Sequence, residues 1–195
     1  MKGVYIFLAE GFEDIEALAT CDVLRRGGVR VELVSATEEP FVVSSHHVAV
    51  GVEHTFDYFV LNVDKGGTDE KDVMIFPGGM PGTRNLAGND ILMEMMQEHY
   101  DAGGTVAAIC AAPGLVLGQL DGIAGKRVTC FDGFEGILQE AGAEFEPRPA
   151  STDGRVITGR SAGHAIAFGL EILKKVKGEE KAAEVRHALM LDTLA

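Results

Sequence analysis

Five short runs of branched aliphatic residues recur along the chain without polar alternation: "VYIFL" at 4–8, "VELVSA" at 31–36, "VMIF" at 73–76, "TVAAI" at 105–109 and "RVTC" at 127–130. A strand with one face in water alternates apolar and polar residues. These runs therefore have to be covered on both faces, as in a parallel sheet between two layers of helices. The segments between them agree. "EDIEALATCDVLRRGG" places Ile15, Leu18, Ala19 and Val23 on roughly one face, with acids in its first turn, arginines in its last and a Gly27-Gly28 stop. A second helix is predicted over 90–101, capped by Asn89 or Asp90 and ended by Gly103-Gly104. Ile166, Leu170 and Leu173 follow helical spacing, and "GEEKAAEVRHALML" forms a last helix after Gly178.

Two stretches depart from this alternation. Within 41–62, "FVVSSHHVAV" reads as two short strands around a polar turn, a small hairpin excursion, and 62–72 reads as an exposed loop. The expected architecture is a three-layer, doubly wound, flavodoxin-like α/β fold with a mostly parallel sheet, in one domain over residues 1–195.

Composition bounds the function. A formal net charge of −13 disfavours nucleic acid and anionic lipid as partners, since both need a basic surface. No apolar stretch approaches a membrane span, and the N-terminal run reads as a first strand with no cleavage site behind it, so a cytoplasmic protein is expected. Cys21, Cys110 and Cys130 form no C-x-x-C pair, which fits free thiols in a reducing compartment and indicates no zinc site.

The stretch with chemical content is "TVAAICAAPGLVL". Cys110 ends a strand, and Pro113 suits the first turn of a following helix, giving the strand, sharp turn and helix of a nucleophile elbow. A thiol there meets the positive end of a helix, which lowers its pKa. A small buried hydrophobe is the alternative reading, because free cysteine is among the most buried residue types. After the strand at 73–76, "FPGGMPGTRNL" lacks dinucleotide and phosphate-loop spacing. Gly78 and Gly79 there either present N–H groups to a developing oxyanion or form an ordinary strand-to-helix turn. Glu13, Asp14 and Glu16 are explained locally by the helix dipole.

"LAEGFEDIEA", "PGGMPG", "AAICAAP" and "GRSAG" occur in the order and spacing of the ThiJ/PfpI superfamily, which the sequence resembles over nearly its whole length. Its most similar branch holds the Parkinson-disease-associated protein deglycase and bacterial ThiJ-like proteins. The resemblance implies Cys110 as a reactive nucleophile and Glu16 as the acid facing it, with Gly78, Gly79 and the Ala111 N–H as oxyanion donors. A carboxyl facing a thiolate should have a raised pKa. The resemblance further implies no cofactor and no metal, a homodimer, and pocket or partner-subunit positions at Glu13, Met80, His46, Arg26, Phe131, Ala162 and His164. Adjacent His46 and His47 point to opposite faces if extended, and no His has ligand spacing with another.

Three departures qualify the carry-over. Peptidase members have His directly after the nucleophile, where this chain has Ala111. Deglycase members often have His where Phe131 stands, and "GPG" where "SAG" stands at 161–163. The function implied is cysteine-dependent conversion of small 2-oxoaldehydes such as glyoxal and methylglyoxal to 2-hydroxy acids, or removal of early glycation adducts. A redox-sensing or chaperone-like protein acting through Cys110 oxidation is the alternative, and a cysteine peptidase the minor one. Thiazole biosynthesis finds no supporting chemistry.

Overall fold

The computed structural model describes residues 1–64 and 66–192. Lys65, within the loop expected at 62–72, and residues 193–195 lie outside the described part. In chain order the elements are β1 (Val4–Leu8), α1 (Asp14–Arg26), β2 (Val31–Ser35), β3 (Phe41–Val43), β4 (Ala49–Gly51), α2 (Phe56–Asn62), β5 (Val73–Phe76), α3 (Gly82–Ala87) and α4 (Asp90–Asp101). They continue with β6 (Thr105–Ile109), α5 (Ala112–Leu115), β7 (Arg127–Val128), α6 (Glu135–Glu140), β8 (Glu144–Phe145), β9 (Ala150–Asp153), β10 (Val156–Gly159), α7 (Ala165–Lys177) and α8 (Glu179–Ala188). Short 3-10 turns at Leu117–Gln119 and Ala162–His164 follow α5 and precede α7.

The main sheet has the order β2-β1-β5-β6-β10-β9, parallel except for β9, which runs antiparallel to β10. Its strands lack polar alternation because successive side chains enter two different cores. In β1, Ile6 and Leu8 join Phe12, Leu24, Phe168 and Ile172 on the α1/α7 side, while Phe7 joins Met74, Phe76, Leu86, Leu92 and Met96 on the other. β5 and β6 divide in the same way, with Ile75 and Ile109 toward the first core and Phe76 and Ala108 toward the second. The winding direction reverses between β1 and β5, so the loops at the carboxyl ends of β1, β5 and β6 converge at a switch point.

The structure departs from the expected pattern at 127–130 and adds two elements that the sequence reading did not assign. The run at 127–130 is not a strand of the main sheet: only Arg127–Val128 is extended, and it pairs with β8 in a separate two-stranded ladder. Side chains take over the next backbone donors there, Thr129 N–H going to Thr158 Oγ1 at 2.9 Å and Arg127 N–H to Asp153 Oδ2 at 3.2 Å. The sheet positions beyond β6 belong to the β9–β10 hairpin, whose polar "ASTD" gave no apolar signal. The β3–β4 hairpin forms as expected, but Phe56–Asn62 is helical because Phe56 and Phe59 both fold into the core.

His99 of α4 is 1% exposed, and its Nε2 lies 3.1 Å from the carbonyl oxygens of both Asp72 and Thr105. Burial, reinforced by the neighbouring N-terminal ammonium, pushes its pKa down to about 4. The unfolded chain therefore binds a proton that the native state refuses between about pH 6.5 and 4. This stability is present above pH 6.5 and is lost as pH falls through that window, about 3 kcal/mol in full. Urea denaturation at pH 7 and pH 4.5 should show the loss, and a His99→Gln variant should show a flatter pH dependence. An unchanged slope in the variant would remove His99 as the cause.

Candidate active site

Cys110 directly follows β6, with its thiol partly buried and its backbone at φ 67°. That left-handed conformation bends the chain sharply between strand and helix, as expected of a nucleophile elbow. Glu16 reaches it from the first turn of α1 and is 1% exposed. Glu13 is the N-cap of α1 and accepts the Glu16 N–H at 2.7 Å, which frees the Glu16 carboxyl to turn inward. One of its oxygens, Oε2, accepts the Gly78 N–H at 2.8 Å, while Oε1 is buried without a conventional hydrogen-bond partner. The Gly78 carbonyl in turn accepts the Glu13 N–H at 2.9 Å, so a single peptide unit ties the end of β5 to the head of α1.

Gly78 has no room for a side chain. A Cβ there would lie 2.5 Å from Glu16 Oε2, 2.6 Å from Cys110 Cβ and 3.1 Å from Cys110 Sγ. Gly78→Ala is therefore expected to force acid and thiol apart, shifting the pH profile of Cys110 alkylation to lower pH as the opposing carboxylate is withdrawn, and destabilising the fold by about 1–3 kcal/mol. Mass-resolved alkylation with iodoacetamide measures the first and denaturant titration the second.

Burial raises the Glu16 pKa to about 7 against hydrogen bonds from Cys110 and Gly78 that favour the carboxylate, and the Glu13 charge adds to the rise. The expected upward shift is present, with dehydration as its main cause. The thiol behaves differently from expectation. Burial first, and then the facing Glu16 carboxylate, push Cys110 up to about 12, while the N–H groups of Ala111 and Gly79 oppose this. The reason the helix end does not win is its length: α5 is one turn long, too short to sum many peptide dipoles. Acid and thiol thus compete for protons as a pair, and a proton on Glu16 removes the charge that most opposes a thiolate.

Of the expected oxyanion donors, Gly79 and Ala111 direct their N–H groups at the sulfur, whereas the Gly78 N–H is committed to Glu16. Phe131 borders the site through its backbone, donating to the Cys110 carbonyl at 2.8 Å, with its ring about half exposed. Met80 is partly exposed in the loop after Gly79, and Ala162 lies in the 3-10 turn that packs near α1. His164 has its Nδ1 2.9 Å from Ser161 Oγ.

His46 and Arg26 are not brought to the thiol within this chain. Exposed His46 pairs with Asp14 at 2.6 Å, which raises the imidazole pKa, and Arg26 pairs with Asp22 at the far end of α1. Glu13, Asp14 and His46 place possible ligand atoms within 4.8 Å of one another, but Glu13 caps α1 and Asp14 binds Ser44 and His46. Cys130 is fully buried, and burial pushes its thiol up to about 12. Sequence reasoning missed Asp132 and Arg160, which form an ion pair beside Phe131. Their separation in the chain left no local signal.

The family model described as the DJ-1/PfpI family matches residues 2–175. The chain belongs to the DJ-1/PfpI family. It is 34% identical to Protein DJ-1 homolog A of Arabidopsis thaliana over 97% of its own length, and spans about half (47%) of that longer protein. It is 33% identical to the glutathione-independent glyoxalase DJR-1.2 of Caenorhabditis elegans, covering 93% of this chain and 92% of the relative. The crystal structure of Drosophila melanogaster DJ-1beta superposes with a TM-score of 0.85 at 26% identity, over 97% of each chain. Among the described residues no helix is long and apolar enough to cross a membrane. The mostly parallel sheet with flanking helices is the architecture of this family's DJ-1 members.

Proposed function

We propose that this member of the DJ-1/PfpI family is a cofactor-independent enzyme that uses Cys110 to convert small 2-oxoaldehydes to 2-hydroxy acids. The observation that carries the reading is the pairing of the partly buried Cys110 thiol with a fully buried carboxyl whose pKa is raised to about 7, where it can both give and take a proton. Similarity to a relative named as a glutathione-independent glyoxalase supports the same substrate class.

The steps balance without an oxidant. Sulfur attacks the aldehyde carbon of methylglyoxal while the thiol proton passes through Glu16 to the aldehyde oxygen, giving a hemithioacetal. Ionised again, Glu16 takes the hydrogen from that carbon and returns it to the neighbouring carbon through an enediol, leaving a thioester. Water hydrolyses the thioester to lactate and free thiol. The Gly79 and Ala111 N–H groups, already facing the sulfur, are the donors for the oxygen that develops charge. Removal of early glycation adducts would follow from depletion of free aldehyde. Methylglyoxal loss and lactate formation in amine-free buffer test the reading, and equal rates with and without folded protein would sink it.

Phe131, standing where a histidine would supply a second acid or base, favours a second reading in which Cys110 is oxidised by peroxide to a sulfinate without turnover. Selective gain of two oxygens at Cys110 after mild peroxide is its expected signature. Peptidase activity lacks support, since Ala111 follows the thiol and His164 and His46 hold other partners. Exposed Ile15 and Leu18 on α1, with Val48 beside the β3–β4 hairpin, support a homodimer through this face, and the free thiols support a cytoplasmic location.

A further inference from the structure

The left-handed backbone of Cys110, φ 67°, is strained for a residue with a Cβ and has to be held in place. Two hydrogen bonds hold it. Its N–H donates to the Gly159 carbonyl at 3.0 Å, and its own carbonyl accepts the Phe131 N–H at 2.8 Å. These partners come from separate segments, the end of β10 and the turn after β7. The residues that follow them, Arg160 and Asp132, are joined by an ion pair from Nη2 to Oδ1.

The connections close a ring: Cys110 amide, Gly159, Arg160, Asp132, Phe131, Cys110 carbonyl. Arg160 is anchored further, its N–H on the Pro149 carbonyl at 3.0 Å and its guanidinium carbon 5.7 Å from the Phe145 ring centre. Its Nη1 is buried without a partner, a cost that argues against stability as the main role of this side chain. Asp132 is 75% exposed, so the pair itself adds little to global stability. Neither side chain is among the groups that act on the sulfur, which are Glu16 and the N–H groups of Ala111 and Gly79.

We propose that Arg160 and Asp132 are positioning residues, a clamp that fixes the elbow conformation of Cys110 by locking together the two segments that bind its amide and its carbonyl. The clamp rests on the reading of Cys110 as the reactive nucleophile. Its loss lets the backbone relax and draws Sγ away from the Gly79 and Ala111 N–H groups.

The test uses the full chain with Asp132→Asn, Arg160→Gln and the double variant. The readout is the pH profile of iodoacetamide alkylation at Cys110, resolved from Cys21 and Cys130 by peptide mass. Each single variant is expected to keep its melting temperature within about 3 °C of wild type, to alkylate about tenfold more slowly near neutral pH, and to shift its profile to higher pH. The double variant should match the singles, because either change already opens the ring. A wild-type profile in both singles, or fully additive effects in the double, would overturn the clamp. Methylglyoxal turnover measured in parallel separates the two ideas. Altered alkylation with no wild-type turnover supports the clamp and defeats the glyoxalase reading, whereas wild-type turnover with unaltered variant alkylation does the reverse.

Discussion

Cys110→Ser is expected to reduce methylglyoxal turnover to the rate of buffer alone, a loss on the order of 10³-fold or more. Serine is close in size and can keep both backbone hydrogen bonds of the elbow, so the fold should persist and the loss should be chemical. Its hydroxyl is a far weaker nucleophile, and the site was assembled without a histidine base: Ala111 follows the nucleophile and Phe131 borders it. Lactate measured in amine-free buffer, with circular dichroism as the control for folding, decides the matter. Residual turnover above a tenth of wild type would move the chemistry away from Cys110. Cys110→Gly gives the complementary result, since glycine accepts positive φ freely and should raise stability by about 1 kcal/mol while turnover is lost.

Glu16→Gln is expected to lower turnover by about 10²–10⁴-fold and at the same time to stabilise the protein above neutral pH. The folded-state pKa of about 7 lies above the ordinary 4.5, so between these values the native state holds a proton that the unfolded chain has released. Native stability consequently falls as pH rises through this window, by about 3 kcal/mol once pH exceeds 7. Glutamine carries no charge to bury, and its carbonyl can still accept the Gly78 N–H. The two proteins should unfold at similar denaturant concentrations at pH 4, and the variant at higher concentration at pH 8. Parallel curves across that range would show that the acid is not held protonated by its surroundings.

Much of the fold was legible because burial on both faces leaves a composition signal. The strands at 4–8, 31–36, 73–76 and 105–109 and the helix at 90–101 stand where the apolar runs and caps predict. The β9–β10 hairpin was not legible, since polar "ASTD" belongs to an antiparallel edge strand, which tolerates such residues. The strand expected at 127–130 failed for a related reason, its backbone donors being met by Thr158 and Asp153 side chains that no local pattern reveals. At the site, Cys110 had a local signal in the strand, proline and glycine around it. Glu16 had none, because a carboxylate in a first helical turn looks the same whether it faces water or a thiol. Its singular character comes from burial and from the Gly78 N–H, both supplied by a segment distant in the chain.

The amide of Cys110 finds its acceptor on β10, in a part of the polypeptide that is made well after Cys110 itself. The elbow is therefore complete only where β10 is docked against β6, so the conformation of the thiol depends on a strand from a distant part of the chain.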